Sequence, residues 1–137
     1  MSRRLSVSWR VRAAVAALIL PAAVRSMSLA KLMHRAAPLR AHVPLDDRAL
    51  ARWVTRILAR LPGLWHLSCL NRSVVLYHLL RAAGRPVGLC IGVARVGRPI
   101  KAHAWLTLGG VPYLESESAL VTSLPVVARF PDDASAA

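Results

Sequence analysis

The sequence predicts an α+β domain, with helices up to Ala83 and a small antiparallel sheet after Pro86. Three observations carry this. Apolar residues recur at helical spacing between Ala13 and Ala83, the texture then changes to a strand-length apolar run followed by strict alternation, and Gly109-Gly110 marks a hairpin tip. A chain of 137 residues supports one domain with one core. With 55% hydrophobic residues and a mean hydropathy of +0.44, disorder is expected only at the two ends.

The first elements lie in an apolar and basic segment over residues 1–44. Residues 13–36 read as one or two helices broken near Pro21, with Leu29, Leu32 and Met33 on an apolar face. Arg3, Arg4, Arg10 and Arg12 before the run Ala13 to Val24 give it the look of a signal peptide. Pro21 interrupts that run, Arg25 follows it at once, and it lacks a convincing small-x-small cleavage site. The run is also shorter than the roughly 20 residues that span a bilayer. A hydrophobic helix packed on the body of the domain, on a partner or on a membrane surface is therefore expected.

The core of the domain is expected over residues 45–130. Asp46 and Asp47 open a helix carrying Leu50, Trp53, Val54, Ile57, Leu58 and Leu61, and Pro62-Gly63 stops it. Ser68 is placed to cap a further helix from Cys69 to Ala83, whose apolar positions include Leu70, Val74, Tyr77 and Leu80. Gly84 stands where a C-terminal cap belongs, and Pro86 forbids continuation. Val87 to Ala94 is a continuous apolar run, a strand covered on both faces. Ile100 to Leu108 alternates, with Ala102, Ala104 and Leu106 on one face and His103, Trp105 and Thr107 on the other. A strand from Val111 to Glu115 follows the hairpin. No clear element is predicted past Ser123, and residues 131–137 read as a frayed tail.

The charge is lopsided: 19 Lys and Arg against 6 Asp and Glu give +13. Such a field favours an anionic membrane surface, a nucleic acid or an acidic partner. Arginine supplies nearly all of it, which with the abundant alanine suggests a GC-rich bacterial genome, so the charge counts only partly as a functional signal. The sequence holds no glycine-rich phosphate loop, RNA-recognition signature or helix-turn-helix, and its arginines are not interleaved with aromatics. No specific nucleic acid and no nucleotide cofactor are expected. Cys69 and Cys90 lack zinc-site spacing, His34, His42, His66 and His78 form no ligand set, and two cysteines so placed suit a reduced cytoplasmic protein.

The chemistry centres on Cys69. The first turn of a helix offers unpaired backbone N–H groups and a positive dipole end, which favour a thiolate and can also stabilise an oxyanion. Standing against this, most free cysteines are small buried hydrophobes. His103 changes the balance, because a cysteine at a helix start followed by a His-Ala-Trp strand supplies a nucleophile and a base. Trp105 either shields the imidazole or merely packs the core. The acid that orients the base depends on hairpin register. A two-residue turn turns Glu115 away from His103, whereas a three-residue loop sets Glu115 on its face and Glu117 opposite it. Glu115 is favoured and Glu117 kept as the alternative. Cys90, inside an apolar strand, is the competing nucleophile, and His66 lies just before Cys69.

These residues resemble a known family. The run Cys69-Leu-Asn-Arg-Ser through Gly84, the strand with Ile91-Gly-Val93, and Ala102-His-Ala-Trp-Leu106 look like the transglutaminase-like peptidases of lasso-peptide biosynthesis. These B proteins remove the leader from a ribosomal precursor. The resemblance implies a transglutaminase-like or papain-like core with Cys69 as nucleophile, His103 as base and Glu115 as the acid, where the family commonly has Asp. Larger members carry an amino-terminal leader-recognition domain for which this chain has no room, so the resemblance is to the split form. It implies a precursor peptide as substrate, a separate leader-binding protein as partner, and an asparagine synthetase-like cyclase acting next. A transglutaminase-like acyl transferase, or a non-catalytic basic scaffold on a membrane surface or nucleic acid, are the alternatives.

Overall fold

The computed structural model describes residues 5–28, 31–32, 39–63, 67–95, 100–115 and 125–130. Within them, helices α1 (Val7–Ser26), α2 (Asp47–Arg60) and α3 (Cys69–Ala82) precede strands β1 (Gly88–Arg95), β2 (Ile100–Leu108), β3 (Val111–Tyr113) and β4 (Val126–Phe130). The strands form one antiparallel sheet in the order β3-β2-β1-β4. The α+β expectation holds. The alternation of β1 and β2 divides the sheet into two faces. Leu89, Ile91, Ala104 and Leu106 belong to the main core with the helices, while Cys90 and Trp105 form a second small cluster with Val126.

Helix α1 corrects the sequence reading. It begins six residues before Ala13, capped by Ser6, whose Oγ accepts the Trp9 N–H at 3.4 Å. It also runs through Pro21 without a break. Proline in a helix interior costs about 3 kcal/mol by removing one hydrogen bond and crowding the preceding turn. Burial of Trp9, Ala13, Ala16, Ala17, Leu20 and Pro21 itself offsets that cost. At 20 residues the helix is long and apolar enough to cross a membrane by length and composition alone, so the sequence-based length argument fails. What places α1 here is the face that enters the core. Of the stretch expected to follow a break at Pro21, residues 22–26 belong to α1, and residues 29–30 and 33–36 lie outside the described residues.

Helices α2 and α3 start where their caps predict. Asp46 Oδ1 accepts the Arg48 and Ala49 N–H groups at 3.1 Å, and Leu50, Ala51, Val54 and Leu58 are buried behind it. Helix α3 is capped by Ala83, and Gly84 follows with φ +86°. A Cβ at Gly84 would collide with the backbone of Ala41 and His42. Gly84→Ala therefore combines a disfavoured backbone conformation with a steric clash. It is expected to cost about 2–4 kcal/mol, read as a lowered urea midpoint with unchanged slope.

Arg85 fastens the chain before α2 to the end of α3. Its Nε pairs with the Asp47 carboxylate at 3.2 Å, Nη1 donates to the carbonyls of Val43 and Ala83 at 2.7 Å, and Nη2 donates to Leu45 at 3.1 Å. Asp47 also accepts a short hydrogen bond from the Tyr113 hydroxyl, which ties β3 to the same knot. Burial, that hydrogen bond and the nearby Asp47 charge push the Tyr113 phenol up to about 12. The unfolded phenol ionises near 10, so the contribution of Tyr113 to stability is intact below about pH 10 and is lost as pH rises towards 12. Denaturant melts across that window should show the loss, and Tyr113→Phe should flatten it.

Strand β4 is the element that the sequence analysis missed. It pairs with β1 across a bulge at Ile91/Gly92, where the Val93 N–H reaches the Pro125 carbonyl at 3.1 Å. Its five residues alternate between half-buried and exposed, a signal too short and too weakly apolar to stand out.

Candidate active site

Cys69 is the first residue of α3 and is partly exposed. Ser68 caps the helix: its Oγ accepts the Asn71 N–H at 3.1 Å and its carbonyl accepts the Arg72 N–H at 3.0 Å. The amides of Cys69 and Leu70 are not consumed by that cap. They lie at the positive end of the helix and point out of its first turn. One turn on, the buried Ser73 hydroxyl donates to the Ala104 carbonyl at 3.1 Å, so the start of α3 is pinned to β2 beside His103.

His103 lies mid-β2 opposite Gly92 of β1, a neighbour with no side chain to crowd the imidazole. Its ring stacks on Trp105, with centroids 6.1 Å apart and planes 18° apart. Trp105 flanks the imidazole and also packs against Cys90 and Val126, in the small cluster outside the main core. His103 Nε2 lies 3.2 Å from Glu115 Oε2, with the two side chains only 21% and 9% exposed. With Nε2–H donating to the carboxylate, Nδ1 keeps its lone pair as a base.

Glu115 reaches His103 by a route that the register argument did not contain. The hairpin has the two-residue turn, pairing Leu108 with Val111 and Thr107 with Pro112. Gly109 and Gly110 both have positive φ, the signature of a type I′ turn. Pro112 needs no bulge because β3 is an edge strand, where a missing N–H goes unmissed. A regular strand in this register would turn Glu115 away. The ladder instead ends at Tyr113, and Leu114 adopts a left-handed conformation, φ +57°, which redirects the chain and brings Glu115 to the imidazole.

Arg72 holds that irregular segment. Its Nη2 donates to the Leu114 carbonyl at 3.0 Å and its Nε to Thr55 Oγ1 at 3.3 Å. Burial pushes the guanidinium down from its ordinary value, and the nearby Glu115 charge pulls it back up. Arg72 stands in the first turn of α3, so one side chain links the helix that Cys69 opens to the segment that carries Glu115. Arg72 stands within the Cys69-Leu-Asn-Arg-Ser run, where the sequence alone gives it no part. Its spacing from Cys69 was legible; its long-range partner was not.

The other candidates lie elsewhere. Cys90 is buried, 6% exposed, beneath Trp105, and both cysteines are thiols. His42 sits against Arg85 at 3.1 Å, and His78 lies in the middle of α3. Glu117, His34 and His66 lie outside the described residues. Among the described residues no group of three His, Cys, Asp or Glu is placed to hold a metal ion.

A helix-start thiol, helix amides, and an imidazole oriented by a carboxylate together suit attack on a carbonyl through a thioester. A family model described as transglutaminase-like superfamily matches residues 5–128. No curated protein and no solved structure matches the chain.

Proposed function

The chain belongs to the transglutaminase-like superfamily, whose members are generally cysteine peptidases or acyl transferases, and from that premise we propose that it is a cysteine peptidase. Its substrate in this reading is a ribosomally made lasso-peptide precursor, cut at the leader–core junction. The observation that carries the chemistry is the His103–Glu115 hydrogen bond, set in a segment that Arg72 fastens to the helix opened by Cys69. The substrate class is supported by the pairing of the Cys-Leu-x-Arg-Ser helix start with the His-Ala-Trp strand.

His103 Nδ1 takes the Cys69 thiol proton, and the thiolate attacks the junction carbonyl. The amides of Cys69 and Leu70 receive the developing oxyanion. Collapse breaks the C–N bond, and the departing core amine takes the proton from His103. Water, giving its proton to His103, then attacks the thioester, and the leader leaves as a carboxylic acid while Cys69 regains its proton. Glu115 holds the imidazole in the tautomer that these transfers need. A separate leader-binding protein presents the precursor, and the freed amino terminus is the group that an asparagine synthetase-like cyclase would close.

The test is incubation of the full chain with a precursor and its leader-binding protein, read by mass spectrometry. One cut yielding a free-acid leader supports the peptidase. A leader joined to an added primary amine, with no free acid, would establish an acyl transferase instead. No product of either kind with the cognate pair would overturn both.

A further inference from the structure

Helix α1 is apolar on the face that it does not bury. Val7, Val11, Val15, Leu18 and Ile19 are 72, 56, 48, 51 and 59% exposed. Steps of four, four, three and one residue gather them into one stripe along more than three turns. Single exposed aliphatics are ordinary, but a contiguous stripe of five marks a contact surface.

The stripe has cationic borders. The Arg12 guanidinium lies 5.0 Å from the centre of the Trp9 ring, and Arg10 lies 5.0 Å from that of Trp53 on the other flank. Both are held in place by their aromatic partners. Beside the Arg12 flank opens a cavity of about 430 Å³, lined among others by Ser8, Trp9, Arg12, Arg40 and Ala41. Among the described residues no carboxylate lines it. No Asp or Glu occurs in the sequence before Asp46, and the described carboxylates have other work: Asp46 caps α2, Asp47 holds Arg85, and Glu115 meets His103.

We propose that α1 docks this domain on an anionic phospholipid bilayer. The aliphatic stripe seats at the boundary of headgroups and acyl chains, and Arg12 and Arg40 take lipid phosphate at the mouth of the cavity. The charge decides the occupant. A second copy, itself carrying a net charge of +13, would be repelled, whereas an anionic bilayer answers both the stripe and its cationic borders. Docking is peripheral, because the opposite face of α1 holds Trp9, Ala13, Ala17 and Leu20 in the core and would have to abandon it to span.

The experiment is flotation of the full chain with vesicles of phosphatidylcholine, alone or mixed with phosphatidylglycerol. Binding is expected only to the mixed vesicles and should weaken steeply with salt. Val15→Asn combined with Ile19→Gln should weaken it by about tenfold, and Arg12→Gln and Arg40→Gln by about fivefold each. All these side chains are exposed, so circular dichroism should confirm that the variants stay folded. Absence of binding to the mixed vesicles, or binding unchanged in the stripe variant, would overturn the proposal. So would a lipid-free dimer in ultracentrifugation that the stripe variant dissolves. Bound chain that resists an alkaline carbonate wash would overturn the peripheral geometry and indicate a spanning helix.

Discussion

Cys69→Ala is expected to lower kcat/KM for precursor cleavage by at least about a thousandfold, and His103→Ala by a comparable factor. The two losses should not add. Without the thiol there is no thioester for the base to serve, so the double variant should be no slower than the worse single variant. Glu115→Gln is expected to slow cleavage by about a hundredfold or more, because an amide can present its N–H to Nε2 and reverse the tautomer that leaves Nδ1 basic. Cys90→Ala serves as the control, since its sulfur is buried beneath Trp105. Steady-state kinetics together with the rate of iodoacetamide alkylation would check the set. Alkylation should fall to background in Cys69→Ala and persist in Cys90→Ala. Retention of cleavage by Cys69→Ala within a few-fold would remove Cys69 as the nucleophile.

Arg85→Ala is expected to cost about 3–5 kcal/mol of stability. The side chains of Arg85 and Asp47 are each only 12% exposed. Removing the guanidinium takes the ionic partner from the Asp47 carboxylate, which keeps only the Tyr113 hydroxyl, and takes a donor from the part-buried carbonyls of Val43 and Leu45, while Ala83 keeps the Val43 N–H. The thermal midpoint should drop by roughly 10 °C or more. Arg85→Lys should recover little, because one ammonium cannot span a carboxylate and three carbonyls as the guanidinium does. Since Asp47 also holds Tyr113, and β3 leads into Glu115, catalysis should fall with stability in this variant. Loss of less than about 1 kcal/mol would mean that solvent replaces these bonds.

The parts of the site that were legible in the sequence are those written in neighbouring residues. Ser68 before Cys69 announces a capped helix start, and Gly84 with Pro86 announces its end. The alternation around His103 places it opposite the core-facing Ala104 and Leu106. The family, too, was legible at the level of the superfamily, because its motifs are short runs with fixed residues. Two readings failed for related reasons. Pro21 was taken to break α1, although packing against α2 and α3 outweighs the local penalty. Glu115 was made to depend on the length of the hairpin loop, although what matters is the chain direction after the ladder ends.

By itself, then, the sequence determined where α2, α3 and the two central strands begin, which cysteine opens a helix, and that a histidine follows on a strand. These are consequences of caps, glycines, prolines and periodicity, all of them interactions over a few residues. Only the tertiary structure decided that Glu115 meets His103. That contact requires Leu114 to leave the ladder with a left-handed backbone, and Arg72, 42 residues earlier in the chain, to hold its carbonyl. No local propensity favours such a turn at a leucine. It is held by the partly buried Arg72 guanidinium, which donates to the Leu114 carbonyl.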